Sequence, residues 1–489
     1  MTRRLSRRQF LQTGALAGVG FWAAGGVSLV GARDANSKLN IACIGVSGKG
    51  GSDTDQAGSL GNIVALCDVD STFLEPKAKK YPKAKTYSDY RKMYDEMMKD
   101  IDAVTVSTPD HNHACASMMA IKNKKHVYCQ KPLTHTVFEA RSLREAARKY
   151  GVCTQMGNQG TAADGLRRAV ELVQSGKIGP VKEAHVWTNR PVWPQAPGIT
   201  KRPEGEQPIP KYLDWEAWIG PSPMRPFYHG PDEKKHRGVY HDFNWRGWWD
   251  FGTGALGDMA CHTANMAFMA LKLAYPTTIE ASNAEVNPET YPAWANVVFQ
   301  FPERGGMPAV KFVWYEGHKD KKQVLPSPDL VKGQGERDDR YSIYFKDNKW
   351  QFRDRMKKDE KKQVETIISG SFLIGEKGTL FSPDDYGAES YIVTPDTVER
   401  LTGKPEKMAS NNRGDQGMKD EWGQAIRGGP KAYSNFDYAA MLTETILLGN
   451  VAMRAGGKLL QWNGPELKIT NDAGANKFLH YEYRKGWTL

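Results

Sequence analysis

Acid–base chemistry is the first possibility that the spacing of polar residues raises. Asp258 and His262 stand four residues apart in a stretch of helical character, so their side chains lie on one helix face. A carboxylate can hold a substrate hydroxyl while a neighbouring imidazole accepts its proton. Spacing alone also fits a surface pair or a helical hydrogen bond, which is the commoner meaning of such a pair.

A glycine-rich turn indicates a nucleotide site. Within the fingerprint G-x-G-x-x-G, Gly45 and Gly50 match the first and third glycines, Ser47 replaces the second, and Gly48 is expected to compensate by shifting the turn. Asp68 ends the next apolar run, where a carboxylate accepts hydrogen bonds from ribose hydroxyls and repels a 2′-phosphate. The pattern predicts NAD rather than NADP as cofactor. The alternative is an α/β sheet without a nucleotide.

The elements that must position these residues alternate in type over the first third of the chain. Apolar runs typical of strands cover 39–45, 61–66, 101–107 and 126–129, and helical stretches lie at 56–60, 88–99 and 114–122. This alternation implies a parallel sheet. From about residue 160 the pattern changes, with a helix at 165–175 and strand-like runs at 182–188, 294–301, 309–314 and 342–345. The charge-dense stretch 317–365 is expected to be an exposed hairpin insertion or a partly mobile segment.

Four further segments, taken in order, are characteristic of one protein family. They are Ser107-Thr108-Pro109-Asp110-His111-Asn112-His113, Gln130-Lys131-Pro132, residues 254–262 and residues 436–459. Together with the glycine turn they resemble the glucose–fructose oxidoreductase / inositol dehydrogenase family, Gfo/Idh/MocA, over roughly residues 38–465. The triplet is similar to that family's Glu-Lys-Pro motif with Gln130 for Glu, and 254–262 is similar to its G-x-L-x-D-x-x-x-H motif. Residues 436–459 resemble its closing helix.

The resemblance implies an α/β fold in two domains. A Rossmann dinucleotide-binding domain is expected over 38–160, and an α+β domain over 161–489 would carry an open, mostly antiparallel sheet. That sheet would close over the cofactor and often supplies a subunit interface in the family, so a homo-oligomer is expected. The helix at 436–459 would pack back toward the first domain.

The resemblance also implies roles for single residues. Lys131, Asp258 and His262 would form the catalytic group, with His262 as general base, Asp258 holding the substrate and Lys131 lowering the pKa of the hydroxyl. In some relatives the lysine is the stronger candidate for the proton relay, so this division of roles stays open. The residues expected to bind the cofactor are Gly45, Ser47, Gly48, Gly50, Asp68, Thr108, Pro109, His113 and Lys131.

Three functions compete on this basis. The first is an NAD-dependent oxidoreductase acting on a hydroxyl of a sugar, polyol or glycoside by hydride transfer. The second is an NAD-dependent glycosidase or lyase, in which transient oxidation permits elimination and the cofactor is recycled. The third is a non-catalytic sugar-binding protein, and the intact group of Lys131, Asp258 and His262 argues against it.

Seven of the 14 tryptophans fall in 187–249, where they would line a sugar site or simply anchor a long loop.

Composition excludes several other classes. A chain of 489 residues is long enough for two or three domains. Its net charge of +11 is spread among acidic residues rather than clustered, which argues against nucleic-acid binding. The six cysteines are scattered without a CxxC pair and are expected to be small buried side chains. Without an HExxH motif or a Cys/His cluster, no metal site is expected.

Residues 1–35 have the pattern of an export signal. A basic start, a glycine- and alanine-rich apolar stretch over 13–30 and small residues at 30–32 are typical of a cleaved signal peptide. Ser6-Arg7-Arg8-Gln9-Phe10-Leu11 resembles the twin-arginine motif. We therefore expect a periplasmic protein without stable membrane insertion after processing. An uncleaved membrane anchor is the alternative.

Overall fold

The computed structural model describes residues 38–192, 195, 199–229, 238–335 and 337–489. The predicted signal segment 1–35 and Trp193 lie outside the described residues. No helix within the described ranges is both long and apolar enough to span a membrane.

A six-stranded parallel sheet forms the first part of the chain. Its strands are β1 (Leu39–Ile44), β2 (Gly61–Cys67), β3 (Lys85–Tyr87), β4 (Ala103–Val106), β5 (His126–Cys129) and β6 (Thr154–Met156). They are ordered β3-β2-β1-β4-β5-β6. Helices cover both faces, and the central strands β1 and β4 are almost wholly buried, so they appear in the sequence as continuous apolar runs. The sheet ends a few residues before the predicted domain boundary at 160.

Among the described residues, five helices accompany this sheet: α1 (Gly48–Ala57), α2 (Ser71–Lys80), α3 (Tyr90–Met97), α4 (Asp110–Lys122) and α5 (Val137–Tyr150). The next helix, α6 (Asp164–Gln174), packs instead against residues 265–270 of the second part of the chain. The predicted helix at 56–60 is wrong in its bounds, because α1 begins eight residues earlier, inside the glycine turn. The helix α5 begins with a capping box between Thr136 and Glu139 and ends at Gly151 in the left-handed conformation.

The second part of the chain is built on an eleven-stranded sheet. Its strands are β7 (Val181–Thr188), β8 (Thr278–Asn283), β9 (Trp294–Phe301), β10 (Val310–Lys319), β11 (Lys322–Gln323), β15 (Gly370–Gly375), β16 (Thr379–Ser382), β17 (Tyr391–Val393), β18 (Val398–Arg400), β19 (Leu460–Asn463) and β20 (Lys468–Ile469). Their order is β18-β17-β16-β15-β7-β10-β9-β8-β19-β20, with β11 beside β10. The β7–β10 pair is parallel and the other pairs are antiparallel. This arrangement confirms the predicted fold class.

The charge-dense stretch after β11 forms a separate small sheet. Its strands are β12 (Tyr341–Lys346), β13 (Lys349–Asp354) and β14 (Val364–Ile367), all antiparallel. Trp350 and Phe352 on β13 are buried in one apolar cluster with Trp187, Phe372 and Phe381 of the large sheet. The insertion is therefore packed against the domain, with its charges on the outer side chains.

Five helices complete the second part. They are α7 (Trp215–Ile219), α8 (Gly254–Thr263), α9 (Asn265–Ala270), α10 (Gly414–Ile426) and α11 (Phe436–Arg454). The last of these lies against α5 of the first domain, where Arg141 donates to both carboxylate oxygens of Glu444 at 2.6 and 3.0 Å. The α10 helix also reaches the first domain, since Trp422 packs edge-on against Tyr128 of β5. Both contacts join the second domain to the first.

Candidate active site

A cavity of about 460 Å³ opens at the carboxyl ends of the parallel strands. The glycine turn, the segments after β4 and β5, the helix α8 and the 238–249 loop enclose it. The predicted residues that line it are Gly45, Ser47, Gly48, Gly50, Asp68, Thr108, Pro109, Lys131, Asp258 and His262. Ligands of open α/β sheets bind at this edge of the sheet, so the fold brings the predicted residues together where a dinucleotide would lie.

The glycine turn fits a pyrophosphate group. Gly45 has a φ of +75°, and a Cβ on it would lie 2.5 Å from the carbonyl oxygen of Ser107. A Cβ on Gly50 would lie 2.1 Å from the carbonyl oxygen of Gly45. Both positions therefore exclude any other residue. Gly48 begins α1 at the cavity, and within the described residues no side chain caps this helix. Free N–H groups at a helix N-terminus bind phosphate.

Asp68 lies at the end of β2, as predicted, but its oxygens are engaged. Oδ2 accepts a hydrogen bond from the N–H of Val46 at 2.9 Å, and Oδ1 accepts one from the N–H of Asp70 at 3.1 Å. Burial raises the pKa of Asp68 to about 6, against the effect of these two donors. Each carboxylate oxygen keeps further acceptor capacity, so Asp68 braces the glycine turn and remains able to bind ribose hydroxyls.

His113 is the one predicted cofactor residue that does not line the cavity. It sits in α4 with 1% of its surface exposed. Its Nδ1 lies 2.8 Å from the carbonyl oxygen of Pro132, and its Nε2 lies 2.8 Å from that of Thr108. The ring thus ties together the two segments that follow β4 and β5. His111 is buried in the same helix between the carbonyl oxygens of Trp218 and Phe251.

Lys131 and Asp258 form an ion pair across the cavity. The ammonium of Lys131 lies 2.5 Å from Oδ1 of Asp258 and 2.9 Å from its backbone oxygen. Burial alone would raise the pKa of Asp258, but the charges of Lys131 and Arg246 outweigh it and hold that pKa well below its usual range. Oδ2 accepts a hydrogen bond from Gln195, whose side chain therefore covers the pair.

His262 lies one turn beyond Asp258 on α8 and is 6% exposed. Burial, reinforced by the charge of Lys131, lowers the pKa of His262 to about 3, so the ring is neutral at ordinary pH. Its Nδ1 is enclosed without a hydrogen-bond partner among the described residues. This leaves Nε2 as the nitrogen open to the cavity.

Sequence reasoning missed a second carboxyl group in the same cavity. Asp110 begins α4, lines the cavity and accepts a hydrogen bond from Oγ1 of Thr253 at 2.7 Å. Burial, followed by the charge of Asp258, raises the pKa of Asp110 to about 7. The signal was present, because Asp110 directly follows the predicted pair Thr108-Pro109.

Tyr386 was also missed, since it belongs to no motif. Its ring packs edge-on against His262 with the centroids 5.1 Å apart. The side chain is 38% exposed, in a turn held against Gly160, where a Cβ would lie 2.8 Å from the Tyr386 carbonyl oxygen. A partly exposed aromatic face beside the imidazole suits the C–H surface of a sugar ring.

The tryptophan cluster mainly pins its loop. Trp215 stacks on Trp218 at 4.7 Å, Trp248 is fully buried, and Trp249 packs on Tyr291 away from the cavity. Of the described members, Trp218 and Trp245 line the cavity.

His241 of the same loop contacts the first domain. Its Nε2 lies 3.0 Å from Oδ2 of Asp70. The imidazole therefore joins the loop to the first domain two residues after Asp68. Across the described ranges, no group of three or more His, Cys, Asp or Glu side chains is arranged to hold a metal ion.

Comparison with protein families assigns both parts of the chain. Residues 39–158 match the oxidoreductase family GFO_IDH_MocA, described as an NAD-binding Rossmann fold. Residues 171–321 match the C-terminal alpha/beta domain of the same oxidoreductase family. The two matched segments together span more than half of the 489 residues.

Individual relatives are matched over a quarter of the chain or less. Inositol 2-dehydrogenase of Salmonella paratyphi B is 29% identical over 125 residues, which is 25% of this chain and 37% of that enzyme. The 1,5-anhydro-D-fructose reductase of Ensifer adhaerens is 36% identical over 88 residues, 18% of this chain and 26% of that enzyme. The matched segments thus span between about a quarter and little more than a third of the length of these curated relatives.

Solved structures share the fold over most of the chain. Levoglucosan dehydrogenase in complex with NADH and levoglucosan superposes with a TM-score of 0.55 at 14% identity, covering 87% of this chain and 99% of that one. An inositol dehydrogenase homologue from Azotobacter vinelandii, complexed with NADH and myo-inositol, gives 0.55 at 14% identity, covering 87% and 98%. With the family matches in both domains, the chain belongs to the Gfo/Idh/MocA oxidoreductase family, and its first domain is that family's NAD-binding Rossmann domain.

Proposed function

We propose that this protein is an NAD-dependent oxidoreductase that removes hydride from a hydroxyl-bearing carbon of a sugar, polyol or glycoside. The observation that carries the proposal is the meeting of Lys131, Asp258 and His262 in the cavity that the glycine turn also lines. Relatives named for inositol and anhydrosugar chemistry support this substrate class. A homo-oligomer is part of the proposal and rests on the resemblance alone.

The residues of the chain divide the acid–base work. The ammonium of Lys131 lowers the pKa of a hydroxyl placed beside it, because the alkoxide that develops is negatively charged. Asp258 holds that ammonium in place and keeps its own charge. Neutral His262 accepts the hydroxyl proton at Nε2, since Nδ1 is enclosed. The proton goes to the protein and the carbon becomes a carbonyl.

The cofactor's place follows from the same residues. Gly45, Gly48 and Gly50 would hold its pyrophosphate and Asp68 its adenosine ribose. When bound, NAD supplies the acceptor for the hydride of the hydroxyl-bearing carbon. Trp218 and Trp245 form part of the cavity wall on the side of the second domain.

The proposal is tested by mixing the NAD-loaded protein with a panel of sugars, anhydrosugars and inositols and following nicotinamide absorbance. Reduction of the cofactor by one of these classes supports the proposal and names the substrate class. A protein that binds NAD but is reduced by none of them would count against it.

A carboxylate at position 68 should set the cofactor preference. We expect NAD to bind at least about tenfold more tightly than NADP at pH 8, because Asp68 is then ionised and repels a 2′-phosphate. The preference should narrow as pH falls through about 6, since the carboxyl then becomes protonated. Asp68→Asn keeps an acceptor for the N–H of Val46 but removes the charge. The preference of this variant for NAD over NADP should therefore be narrow at every pH.

Equilibrium binding of NADH and NADPH at pH 5 and pH 8, followed by nicotinamide fluorescence, measures this preference. The exposed carboxyl of Asp95 offers a matched control in Asp95→Asn, which should leave the preference unchanged. Equal affinity of the unaltered protein for both cofactors at pH 8 would show that Asp68 does not face the ribose.

One observation favours redox-assisted glycoside cleavage as a second candidate. Asp110 lines the same cavity, and burial brings its pKa to about 7, so it can give or take a proton near neutral pH. Elimination beside a carbonyl needs such a second group, either to remove the α-proton or to protonate the leaving alcohol. Release of an aglycone from a nitrophenyl glycoside without net NADH formation would favour this candidate over simple oxidation.

We also propose export through the twin-arginine route, because residues 6–11 resemble its motif. Replacing Arg7 and Arg8 with lysine keeps the charge and removes both guanidinium groups, so the protein should accumulate unprocessed in the cytoplasm. Cell fractionation with immunoblotting measures this. Conversion of Arg3 and Arg4 to lysine is the matched control and should leave delivery intact. Normal periplasmic delivery of the Arg7/Arg8 variant would contradict the proposal.

A further inference from the structure

A buried carboxylate on α1 connects the segments after β4 and β5 that line the cavity. Asp53 is fully buried, and its Oδ1 accepts hydrogen bonds from Lys49 at 2.9 Å and from the fully buried Lys419. Its Oδ2 accepts hydrogen bonds from Oγ of Ser107 and from Nε2 of Gln130, both at 2.8 Å. Ser107 and Gln130 directly precede Thr108 and Lys131, so the carboxylate lies beneath two segments of the candidate site.

The side chain of Gln130 packs closely against Gly157. A Cβ added to Gly157 would lie 2.5 Å from Nε2 of Gln130, so the amide lies flat against the glycine backbone. Its Oε1 accepts a hydrogen bond from the backbone N–H of Lys131 at 3.3 Å. The amide therefore connects the carboxylate of Asp53 to the backbone of Lys131, the lysine proposed to face the substrate.

We propose that Asp53 is a positioning residue that supplies the fixed negative charge beneath the Gln130-Lys131-Pro132 loop. The neutral amide of Gln130 is then the hydrogen-bond donor that pairs with this carboxylate. The inference rests on the proposed function for Lys131, but the network itself is independent of any substrate. Lys419 of α10, in the second domain, compensates the charge of Asp53, so the network also joins the two domains at the cofactor loop.

This inference has an unusual consequence for Gln130→Glu, the change that would restore the family's Glu-Lys-Pro motif. A carboxylate at position 130 would lie about 2.8 Å from Oδ2 of Asp53, where two negative charges cannot both persist. The Gln130→Glu variant should therefore bind NADH more weakly and unfold at a lower temperature at pH 8 than at pH 5. A proton bound between the two carboxyl groups would restore the lost hydrogen bond at the lower pH.

A double exchange variant, in which Asp53→Asn is combined with Gln130→Glu, should regain the NADH affinity and the unfolding midpoint that Gln130→Glu loses at pH 8. The new amide at position 53 would present its carbonyl oxygen to the two lysines and its N–H₂ group to the new carboxylate, so the number of charges is unchanged. Gln130→Met is the control without charge: it loses both hydrogen bonds of the amide and should be impaired equally at both pH values.

The other ionisable groups around Asp53 are common to all these variants. Lys49 also pairs with Asp415 at 3.0 Å, and Lys419 lies 4.0 Å above the ring of Tyr128. Burial keeps Tyr128 neutral by raising its pKa far above the range used, and burial raises the pKa of Cys43 on β1 to about 11. A pH dependence that appears only in the Gln130→Glu protein therefore belongs to the pair of carboxyl groups.

The test measures NADH affinity by fluorescence and the thermal unfolding midpoint of the full chain at pH 5 and pH 8. For Gln130→Glu we expect about tenfold weaker NADH binding at pH 8 than at pH 5, since one pKa unit corresponds to a factor of ten, and a lower midpoint at pH 8. The double exchange variant should match the unaltered protein at both pH values. Where a substrate is found, the rate of nicotinamide reduction at pH 8 should likewise be low in Gln130→Glu and close to that of the unaltered protein in the double exchange variant.

Two results would overturn the inference. One is a Gln130→Glu protein whose NADH affinity and midpoint change with pH no more than those of Gln130→Met. The other is a double exchange variant that fails to improve on Gln130→Glu, including by failing to fold. Failure of every sugar to reduce NAD in the unaltered protein would instead count against the proposed function. The binding and unfolding measurements would still test the hydrogen-bond network around Asp53.

Discussion

Replacement of Lys131 with methionine should slow reduction of bound NAD by about 10²–10⁴-fold, the usual contribution of a group that assists proton transfer. Methionine keeps much of the volume of the side chain and removes the ammonium that lies 2.5 Å from Asp258. Without that charge, Lys131 no longer lowers the pKa of the substrate hydroxyl. NADH affinity should change little, because the glycine turn and Asp68 are untouched.

Single-turnover absorbance of the nicotinamide measures this loss, with NADH fluorescence reporting binding in the same samples. Lys92 on the exposed side of α3 provides the control, since Lys92→Met removes a lysine of the first domain that does not line the cavity. A Lys131→Met protein that reduces its cofactor within about threefold of the original rate would remove the lysine from the proposed chemistry.

His262→Ala should cause a loss of similar size, about 10²–10⁴-fold, because Nε2 is the proposed proton acceptor. Its pKa of about 3 also predicts the pH profile of the unaltered protein. A group with a lowered pKa is in its basic form at every pH above that value, so no acid limb from this histidine should appear near its ordinary pKa of about 6.5. The rate of single-turnover reduction, measured from pH 5 to pH 9, checks both expectations. His318→Ala, at an exposed position of β10, is the control.

The combined Lys131→Met and His262→Ala protein discriminates between one proton transfer and two. If both residues serve a single transfer, the double variant should be no slower than about the slower single variant. Losses that multiply would show that the residues act in separate steps. An unchanged rate in His262→Ala alone would leave Lys131 as the proton acceptor.

The first domain could be predicted well because its strands are buried on both faces. Such strands are continuous apolar runs, and the predicted and observed bounds of β5 coincide, while those of β1 and β2 differ by one residue. The helix α1 could not be predicted from its sequence. Its first four residues include three glycines, which disfavour a helix in isolation, and tertiary contacts of Gly50 with the turn hold it.

The residues proposed to be catalytic could be singled out because they belong to local motifs, whereas the residues that hold them in place could not. Asp53 and Lys419 are 366 residues apart, and no local pattern joins them. The placement of His113 away from the cavity has a related cause. A motif gives the neighbourhood of a residue, but the helix α4 is buried almost all round, and its periodicity turns His113 toward two backbone carbonyl groups rather than the cavity.

Transfer of deuterium is the most direct test of the central claim. The NAD-loaded protein is mixed with a responsive sugar or polyol deuterated at the hydroxyl-bearing carbon, and the released cofactor is analysed by mass spectrometry after a single turnover. Direct hydride transfer, with the proton passing to the protein, predicts NADH that carries one deuterium and a carbonyl on the substrate carbon. A protein that binds both NADH and the sugar but leaves every cofactor molecule oxidised and free of deuterium would contradict the account.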